Sequence, residues 1–206
     1  MQGANQPPAP SPQPAISPEK PLGLVLLNMG GPDSLRAVRP FLYNLFSDRE
    51  LIQLPAGALL QKPFAWLISR IRAPKVRFNY AMIGGRSPLL EWTEKQAQGA
   101  ARELGEQVRP YVAMRYWKPR AEECLRRMKQ DGIKQAVVLS MYPHYTSATT
   151  GSSIKDFEAT AARIYAVAGE GGAVLRASAA LTHPDFPDAR MRTPLVMRAA
   201  ASDAAL

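Results

Sequence analysis

Three short loops carry the side chains of this sequence that are best suited to binding a ligand. They span residues 28–32, 115–116 and 142–147, and each directly follows a short apolar run. Arg115 offers a fixed fork of donors for a carboxylate, and Tyr116 offers a flat apolar ring with a polar tip. These loops predict one side of an enzyme cleft. The alternative for Arg115 and Tyr116 is a surface salt bridge and a packed ring.

Other groups in these loops could bind an anion or a metal ion. Gly30 and Gly31 follow a predicted strand, but the complete G-x-G-x-x-G and P-loop patterns are missing, which argues against a nucleotide. Residues 149–153 stand at a predicted helix start, where backbone N–H groups either bind an anion or are simply capped. The chain has two histidines, His144 and His183, so a site made of several histidines is excluded. His144 is the weak metal candidate, and an ordinary loop residue is its alternative.

Short apolar runs alternate with helical segments along most of the chain. The runs 24–27, 111–114 and 136–139 lack alternation, as expected of parallel strands that are covered on both faces, and a weaker run lies near Val174. Intervening helices imply right-handed crossovers. We therefore predict an α/β fold with a small, doubly wound, mostly parallel sheet of about four strands and flanking helices. The carboxyl ends of such strands meet at one edge, where ligands bind.

The predicted helices have recognisable ends. The first is capped near residues 33–34 and is expected to be split by Pro40. The next has Ser87 as its N-cap and Pro88 at the first helical position. Two further helices are predicted, one opened by Pro119 and ended by Gly132, and one over residues 152–168.

Residues 51–73 form an irregular apolar segment with basic edges. The segment is rich in Leu, Ile, Phe and Trp, is broken by Pro55 and Pro63, and carries the cations Lys62, Arg70 and Arg72. Such a segment can lie on a membrane interface or form the lip of a pocket for an apolar ligand. The alternative is a pair of core helices.

Composition limits the classes of protein that this chain can represent. Its 206 residues suffice for one hydrophobic core, and its net charge of +9 suits an anionic membrane surface or a polyanionic small ligand. No Lys/Arg block is dense enough for a nucleic-acid arm, so we expect no nucleic-acid partner. The single cysteine, Cys124, excludes an internal disulfide, and its spacing from Met128 places it in the core.

The chain is expected to have three regions. Residues 1–21 are a Pro-rich leader that we predict to be disordered, residues 22–180 form the α/β domain, and residues 181–206 form an irregular tail. The leader lacks the features of a signal peptide, and no apolar run approaches a membrane span. We expect a cytoplasmic protein, with peripheral membrane contact through residues 51–73 left open.

Three long segments of the sequence carry a close resemblance to one enzyme family. They are LGLVLLNMGGPDSLRAVRPFLYNLFSDRELIQLP, RAPKVRFNYAMIGGRSPLLEWTEKQ and VAMRYWKPRAEECLRRMKQDGIKQAVVLSMYPHYTSATTGSS. In order and spacing they resemble the N-terminal half of ferrochelatase, which inserts ferrous iron into protoporphyrin IX to form protoheme in heme biosynthesis. The resemblance implies two similar Rossmann-like halves with the porphyrin in the cleft between them and residues 51–73 at its lip.

The resemblance also implies roles for seven residues. The positions that hold the porphyrin propionates in the family match Arg72, Tyr80 and Ser87. The positions that line the macrocycle and the metal side of the pocket match Met29, Arg115, Tyr116 and Tyr142. The family mechanism distorts the porphyrin out of plane and removes two N–H protons as Fe²⁺ enters. Protoporphyrin IX and Fe²⁺ are thus expected as substrates, with no tightly bound cofactor.

Some residues that the resemblance implies are missing from this sequence. The family's metal-binding His and proton-accepting Glu lie in its C-terminal half, within motifs that do not occur before Leu206. We therefore expect a truncation or a frame-shift after about residue 180, little turnover by this chain alone, and complementation by a separate C-terminal half. The alternatives are a non-catalytic porphyrin-binding module and an inactive fragment. Ser147 replaces a cysteine that binds an iron–sulfur cluster in some members, so no cluster is expected.

Overall fold

A three-stranded parallel sheet forms the centre of the structure, a computed structural model that describes residues 21–166 apart from Gln53 and residues 55–57. The strands are β1 (Leu22–Asn28), β2 (Val108–Met114) and β3 (Gln135–Ser140), and the order across the sheet is β2-β1-β3. The three main predicted strands are confirmed, each with longer bounds. The described residues thus form three strands where about four were predicted, because the run near Val174, like the leader and the tail, lies outside them.

Within the described residues, five α-helices surround or extend the sheet. They are α1 (Val38–Ser47), α2 (Ala58–Ala81), α3 (Leu89–Leu104), α4 (Ala121–Gln130) and α5 (Ser152–Ala166). Alternate residues of β1 point to opposite faces, so Leu24 and Leu26 pack toward α3, while Val25 and Leu27 pack toward α4 and α5. Both faces of the sheet are therefore buried, which explains the apolar runs and confirms the α/β fold.

Helices α1 and α2 pack against each other near the carboxyl ends of the strands. Their shared core contains Val38, Phe41 and Ala73 and also includes Tyr116 from the loop after β2. The side chain of Asn44 donates to the carbonyl of Tyr116 at 3.0 Å. We call α1, the chain that follows it and α2 the helical arm, and this arm lies against the ligand-binding edge that was predicted for the sheet.

Three predicted helix boundaries differ from the structure, one of them being the start of α4 at Ala121 rather than at Pro119, because Arg120 is the N-cap. Pro40 does not split a helix, because α1 begins at Val38 and places Pro40 in the first turn, where a proline's missing N–H has no intrahelical partner to lose. The residues before it form turns, in which the Ser34 hydroxyl accepts from the N–H of Ala37 at 3.3 Å. Helix α3 begins at Leu89 rather than Pro88, although the Ser87 hydroxyl still accepts from the Leu89 N–H at 3.3 Å.

Cys124 lies in the core between α4 and the sheet, as predicted. Its sulfur is 3.9 Å from the sulfur of Met128, one helical turn away. Burial raises the pKa of the Cys124 thiol to about 12, so the thiol stays protonated near neutral pH. Cys124 therefore behaves as a small apolar residue.

Candidate functional site

The loops that follow β1, β2 and β3 lie side by side at one edge of the sheet. The N–H of Arg115 donates to the carbonyl of Asn28 at 2.8 Å, and the N–H of Tyr116 donates to the carbonyl of Met29 at 3.0 Å. On the other side of β1, the N–H of Met141 donates to the carbonyl of Leu27 at 2.9 Å. The predicted convergence of the three loops is confirmed, because parallel pairing aligns the carboxyl ends of all three strands.

A buried carboxylate joins these loops to the helical arm. Asp48 directly follows α1, and its Oδ2 accepts from Nη2 of Arg115 at 2.8 Å, from the phenol of Tyr116 at 2.8 Å and from the hydroxyl of Ser152 at 2.5 Å. The Ser152 hydroxyl in turn accepts from Nε of Arg115 at 2.8 Å. Asp48, Tyr116 and Ser152 are 9%, 2% and 1% exposed. One carboxylate thus connects the arm, the loop after β2 and the start of α5.

The surroundings of Asp48 hold it ionised despite its burial. Burial alone would raise its pKa, but hydrogen bonds from Ser152, the Glu50 N–H and Tyr116, together with the charge of Arg115, place the pKa below its ordinary value. Burial raises the pKa of Tyr116, and so do its hydrogen bond to Asp48 and the negative charge of that carboxylate. At neutral pH Asp48 is therefore a charged acceptor and Tyr116 a neutral donor.

Arg115 is flanked by a second carboxylate on its other side. Its Nη1 lies 3.4 Å from Oδ1 of Asp156, and the other oxygen of Asp156 lies 3.9 Å from Nη2 of Arg120. The guanidinium carbon of Arg115 is also 5.2 Å from the centre of the Tyr116 ring. Arg115 thus forms an ion pair and Tyr116 is a packed ring, as in the second interpretation, although the pair is largely buried rather than on the surface. Ligand binding by Arg115 stays a prediction.

The stability that Asp48 contributes is expected to depend on pH. Because its folded-state pKa lies below the ordinary 3.8, this contribution is present above pH 3.8 and is lost as the pH falls through the folded-state pKa. We expect the free energies of urea unfolding of wild type and Asp48→Asn to differ most above about pH 5. The difference should begin to shrink below about pH 4 and should go on shrinking as the pH falls further. A gap that stays constant down to about pH 2.5 would contradict this assignment.

Two of the predicted propionate-binding residues, Tyr80 and Ser87, form a pair beside the loop after β1. Burial raises the pKa of Tyr80, and a side-chain hydrogen bond with Ser87 opposes that rise. The N–H of Ser87 donates to the carbonyl of Pro32 at 2.8 Å. A Cβ added at Gly31 would lie 2.4 Å from both Cβ and Oγ of Ser87, so only glycine permits this approach. Arg72, the third predicted residue, is exposed on α2.

The remaining predicted residues lie around the same edge. Met29 is partly buried against the core of the helical arm, and Tyr142 is partly buried with its phenol 3.4 Å from the hydroxyl of Ser153. Burial raises the pKa of Tyr142. His144 is exposed, and no group of three or more His, Cys, Asp or Glu side chains suited to a metal ion occurs within the part of the chain that the structure describes.

The Thr/Ser run before α5 is used internally. A π-helical turn spans Ser147–Gly151, and the hydroxyl of Thr146 accepts from the N–H of Thr149 at 3.2 Å. Ser152 and Ser153 are buried. Of the two alternatives for residues 149–153, capping is thus the one that this structure shows at Thr149.

The outward face of α2 is apolar and exposed. The inner face of α2 is buried through Ala65 and Ala73, whereas six large apolar side chains of the helix are exposed, namely Leu59, Leu60, Trp66, Leu67, Ile71 and Phe78. The guanidinium carbons of Arg39 and Arg70 lie 5.6 and 5.7 Å from the centre of the Trp66 ring. In the described parts of the chain, no helix has the length and apolar character needed to cross a membrane.

Asp48 and Ser152 were not predicted as site residues. In sequence, Asp48 belongs to the charged run Asp48-Arg49-Glu50 after a helix, which is typical of a solvated helix end. For Ser152, the sequence indicates only a helix start that either binds an anion or is capped. Their hydrogen-bond partner Arg115 is 67 residues from Asp48 along the chain, so no local signal connects them.

Comparison with known proteins gives consistent matches for residues 21–178. The ferrochelatase family model matches residues 21–178. The ferrochelatase of Geotalea daltonii is 54% identical over 135 residues, which is 66% of this chain and 42% of the relative. Those of a Sulfurihydrogenibium species and Gloeobacter violaceus are each 52% identical over 137 residues, covering 66% and 65% of this chain and 40% and 42% of the relatives. The chain spans about two fifths of the length of these curated relatives.

Proposed function

Because the chain belongs to the ferrochelatase family, we propose that it forms the N-terminal wall of a site that inserts ferrous iron into protoporphyrin IX to make protoheme. The observation that carries the proposal is the meeting, at one sheet edge, of the loops after β1 and β2 and the Tyr80–Ser87 pair. This edge combines partly buried apolar groups with hydroxyl and guanidinium donors, which suits a flat apolar ring that bears carboxylates.

The proposed contacts divide the edge into two parts. Ser87 and Tyr80, with exposed Arg72 on the same helix as Tyr80, bind the propionates. Met29 and Tyr142 face the macrocycle. Arg115 completes the metal side of the wall. Tyr116, which is 2% exposed, does not face the ligand as the resemblance implied but supports Arg115 from behind, and the bonds of both side chains to Asp48 make this part rigid. A rigid wall is what the out-of-plane distortion of a porphyrin requires.

Metallation in this proposal needs residues beyond this wall. Fe²⁺ is a substrate, and neither a resident cofactor nor an iron–sulfur cluster is proposed, since Ser147 has no thiolate to offer. The His and Glu that the family uses to bind the metal and accept protons belong to its C-terminal half. We propose that a separate C-terminal half completes the site, and that the chain alone binds porphyrin without metallating it.

The test is a titration of the purified chain with protoporphyrin IX, followed by Soret absorbance, and then anaerobic addition of Fe²⁺ or Zn²⁺. We expect saturable binding, metalloporphyrin formation no faster than in a protein-free control, and faster formation once the C-terminal half of the Geotalea daltonii relative is added. Binding that stays unmetallated with the added half would favour a non-catalytic porphyrin-binding module. No binding at all would contradict the proposal and indicate an inactive fragment.

Arg72→Ala tests the propionate contact. A charge-assisted hydrogen bond contributes about 1.5–3 kcal/mol, so we expect the variant to bind protoporphyrin about 10- to 100-fold more weakly. Arg126→Ala is the matched control, because Arg126 is an exposed cation on α4 that pairs with Glu122. Binding constants from Soret titrations decide the prediction, and equal affinities of the two variants would contradict it.

We further propose that the protein is cytoplasmic and contacts membranes peripherally through the outward face of α2. Exposed apolar side chains beside Arg39 and Arg70 match an interface of acyl chains and anionic headgroups. We expect sedimentation with vesicles that contain phosphatidylserine, weakened by salt and by Leu67→Ser together with Phe78→Ser. Equal sedimentation with purely zwitterionic vesicles, or no effect of the substitutions, would contradict this contact.

A further inference from the structure

We infer that Asp48 is a positioning residue, whose carboxylate holds Arg115 and Tyr116 in place and ties the helical arm to the sheet edge. The inference deepens the proposed function and rests on it, because that proposal makes Arg115 part of the porphyrin-facing wall and Tyr116 the buried support behind it. Asp48 lies where three elements of the fold meet, namely the helical arm, the loop after β2 and the start of α5.

The donor arrangement around Asp48 fits a carboxylate and no other side chain of similar size. Oδ2 accepts from the side chains of Arg115, Tyr116 and Ser152, while Oδ1 accepts from the N–H of Glu50 at 2.9 Å. An ionised carboxylate accepts at both oxygens and donates nothing. The amide of Asn would place an NH₂ group against one set of these donors, so it cannot satisfy them all.

Asp48 and Ser152 together determine which way the Arg115 guanidinium points. Asp48 accepts from Nη2 and Ser152 accepts from Nε, so the edge of the planar group that carries these two nitrogens is held at both ends. The remaining nitrogen, Nη1, lies 3.4 Å from Asp156, which is a looser contact. Asp156 also lies 3.9 Å from Arg120. Without the Asp48 carboxylate, Asp156 is the nearest ionised partner left to Arg115, and the guanidinium is expected to turn toward it.

The backbone of Asp48 is also held, so its carboxylate is a fixed point. The N–H groups of Leu51 and Ile52 donate to the Asp48 carbonyl at 3.2 and 3.1 Å. Tyr116 is bonded to the arm twice, since Asn44 donates to its carbonyl and its phenol donates to Asp48. The same contact that orients the wall therefore attaches the arm, whose second helix carries Arg72 and Tyr80.

The test compares the full chain with Asp48→Asn and with the control Glu50→Gln. Glu50→Gln removes the same charge two residues away, from a partly exposed side chain that pairs with Lys155. The first readout is the exchange rate of the Arg115 Nε–H signal in ¹⁵N NMR spectra, assigned by its absence in Arg115→Lys. The second is the dissociation constant for protoporphyrin IX from Soret titrations. Circular dichroism confirms that each variant is folded.

We expect Asp48→Asn to speed exchange of the Arg115 Nε–H about tenfold or more and to weaken porphyrin binding about tenfold, with Glu50→Gln unchanged in both. Wild-type exchange and affinity in Asp48→Asn would overturn the inference. Faster exchange in a chain whose wild type binds no porphyrin would support the positioning role and refute the proposed function. If Asp48→Asn does not fold, Ser152→Ala replaces it, and exchange as slow as in wild type would again overturn the inference.

Discussion

Arg115→Ala is expected to lower the free energy of unfolding by about 3–5 kcal/mol at neutral pH. The substitution removes the only cation that touches the buried carboxylate of Asp48 in the described part of the chain. The phenol of Tyr116, the hydroxyl of Ser152 and the Glu50 N–H still donate to that carboxylate, but its charge stays uncompensated. Since domains of this kind have only about 5–15 kcal/mol of stability, a large fraction is lost.

Urea unfolding followed by circular dichroism measures this effect, with Arg126→Ala as the control. Arg126 also pairs with a carboxylate, that of Glu122, but both side chains are largely exposed, so we expect a loss of about 0–1 kcal/mol. The double variant Arg115→Ala/Asp48→Ala should regain part of the loss, because it removes the unpaired charge. If Arg115→Ala lowered the free energy of unfolding no more than Arg126→Ala does, the ion pair between Arg115 and Asp48 would contribute no more than a surface pair, and the prediction would be wrong.

Gly31→Ala is expected to destabilise the protein by about 1–3 kcal/mol and to weaken porphyrin binding. The added methyl group would lie 2.4 Å from both Cβ and Oγ of Ser87, a separation that real contacts do not reach. Ser87 cannot retreat freely, because its N–H is bonded to the Pro32 carbonyl. The strain therefore reaches the hydrogen bond between Ser87 and Tyr80, on which the proposed propionate contact depends.

Gly99→Ala provides the matched comparison for Gly31→Ala. Gly99 lies inside α3, where an added Cβ would meet nothing within 4 Å, so alanine should stabilise the helix by about 0.5–1 kcal/mol. Urea unfolding of both variants gives opposite signs if the close approach is correct. Adding Ser87→Gly to Gly31→Ala should relieve the contact and restore stability. A Gly31→Ala variant as stable as wild type would refute the close packing of these two loops.

Much of the fold follows from local patterns in the chain. The runs 24–27, 111–114 and 136–139 within β1, β2 and β3 are apolar at every position, because helices shield both faces of the parallel sheet from water. The location and type of these strands were therefore predictable. Their loops had to meet, since parallel strands end at the same edge. The helix that contains Pro40 was predicted wrongly as split, because a proline is harmless in a first turn, and where that turn begins depends on packing rather than on periodicity.

The arm could be predicted only in outline. The segment 51–73 is apolar with basic edges, and its interpretation as core helices is met in part, since α2 buries one face on α1. The interpretations as a membrane-binding segment or a pocket lip stay predictions. Its extent from Ala58 to Ala81, through Pro63 and Pro74, had no sequence signal. Packing against α1 outweighs the local cost of the prolines there.

The sequence by itself determined the strands, the edge at which their loops meet and the family, and it supplied the candidate contacts from Met29 to Tyr142. Each of these follows from local periodicity or from contiguous motifs. Only the tertiary structure decided that Asp48 lies against Arg115, Tyr116 and Ser152, and that Gly31 touches Ser87. The physical reason is that these contacts join residues 56 to 104 positions apart. Whether a carboxylate is solvated or buried depends on which distant donors the fold brings to it.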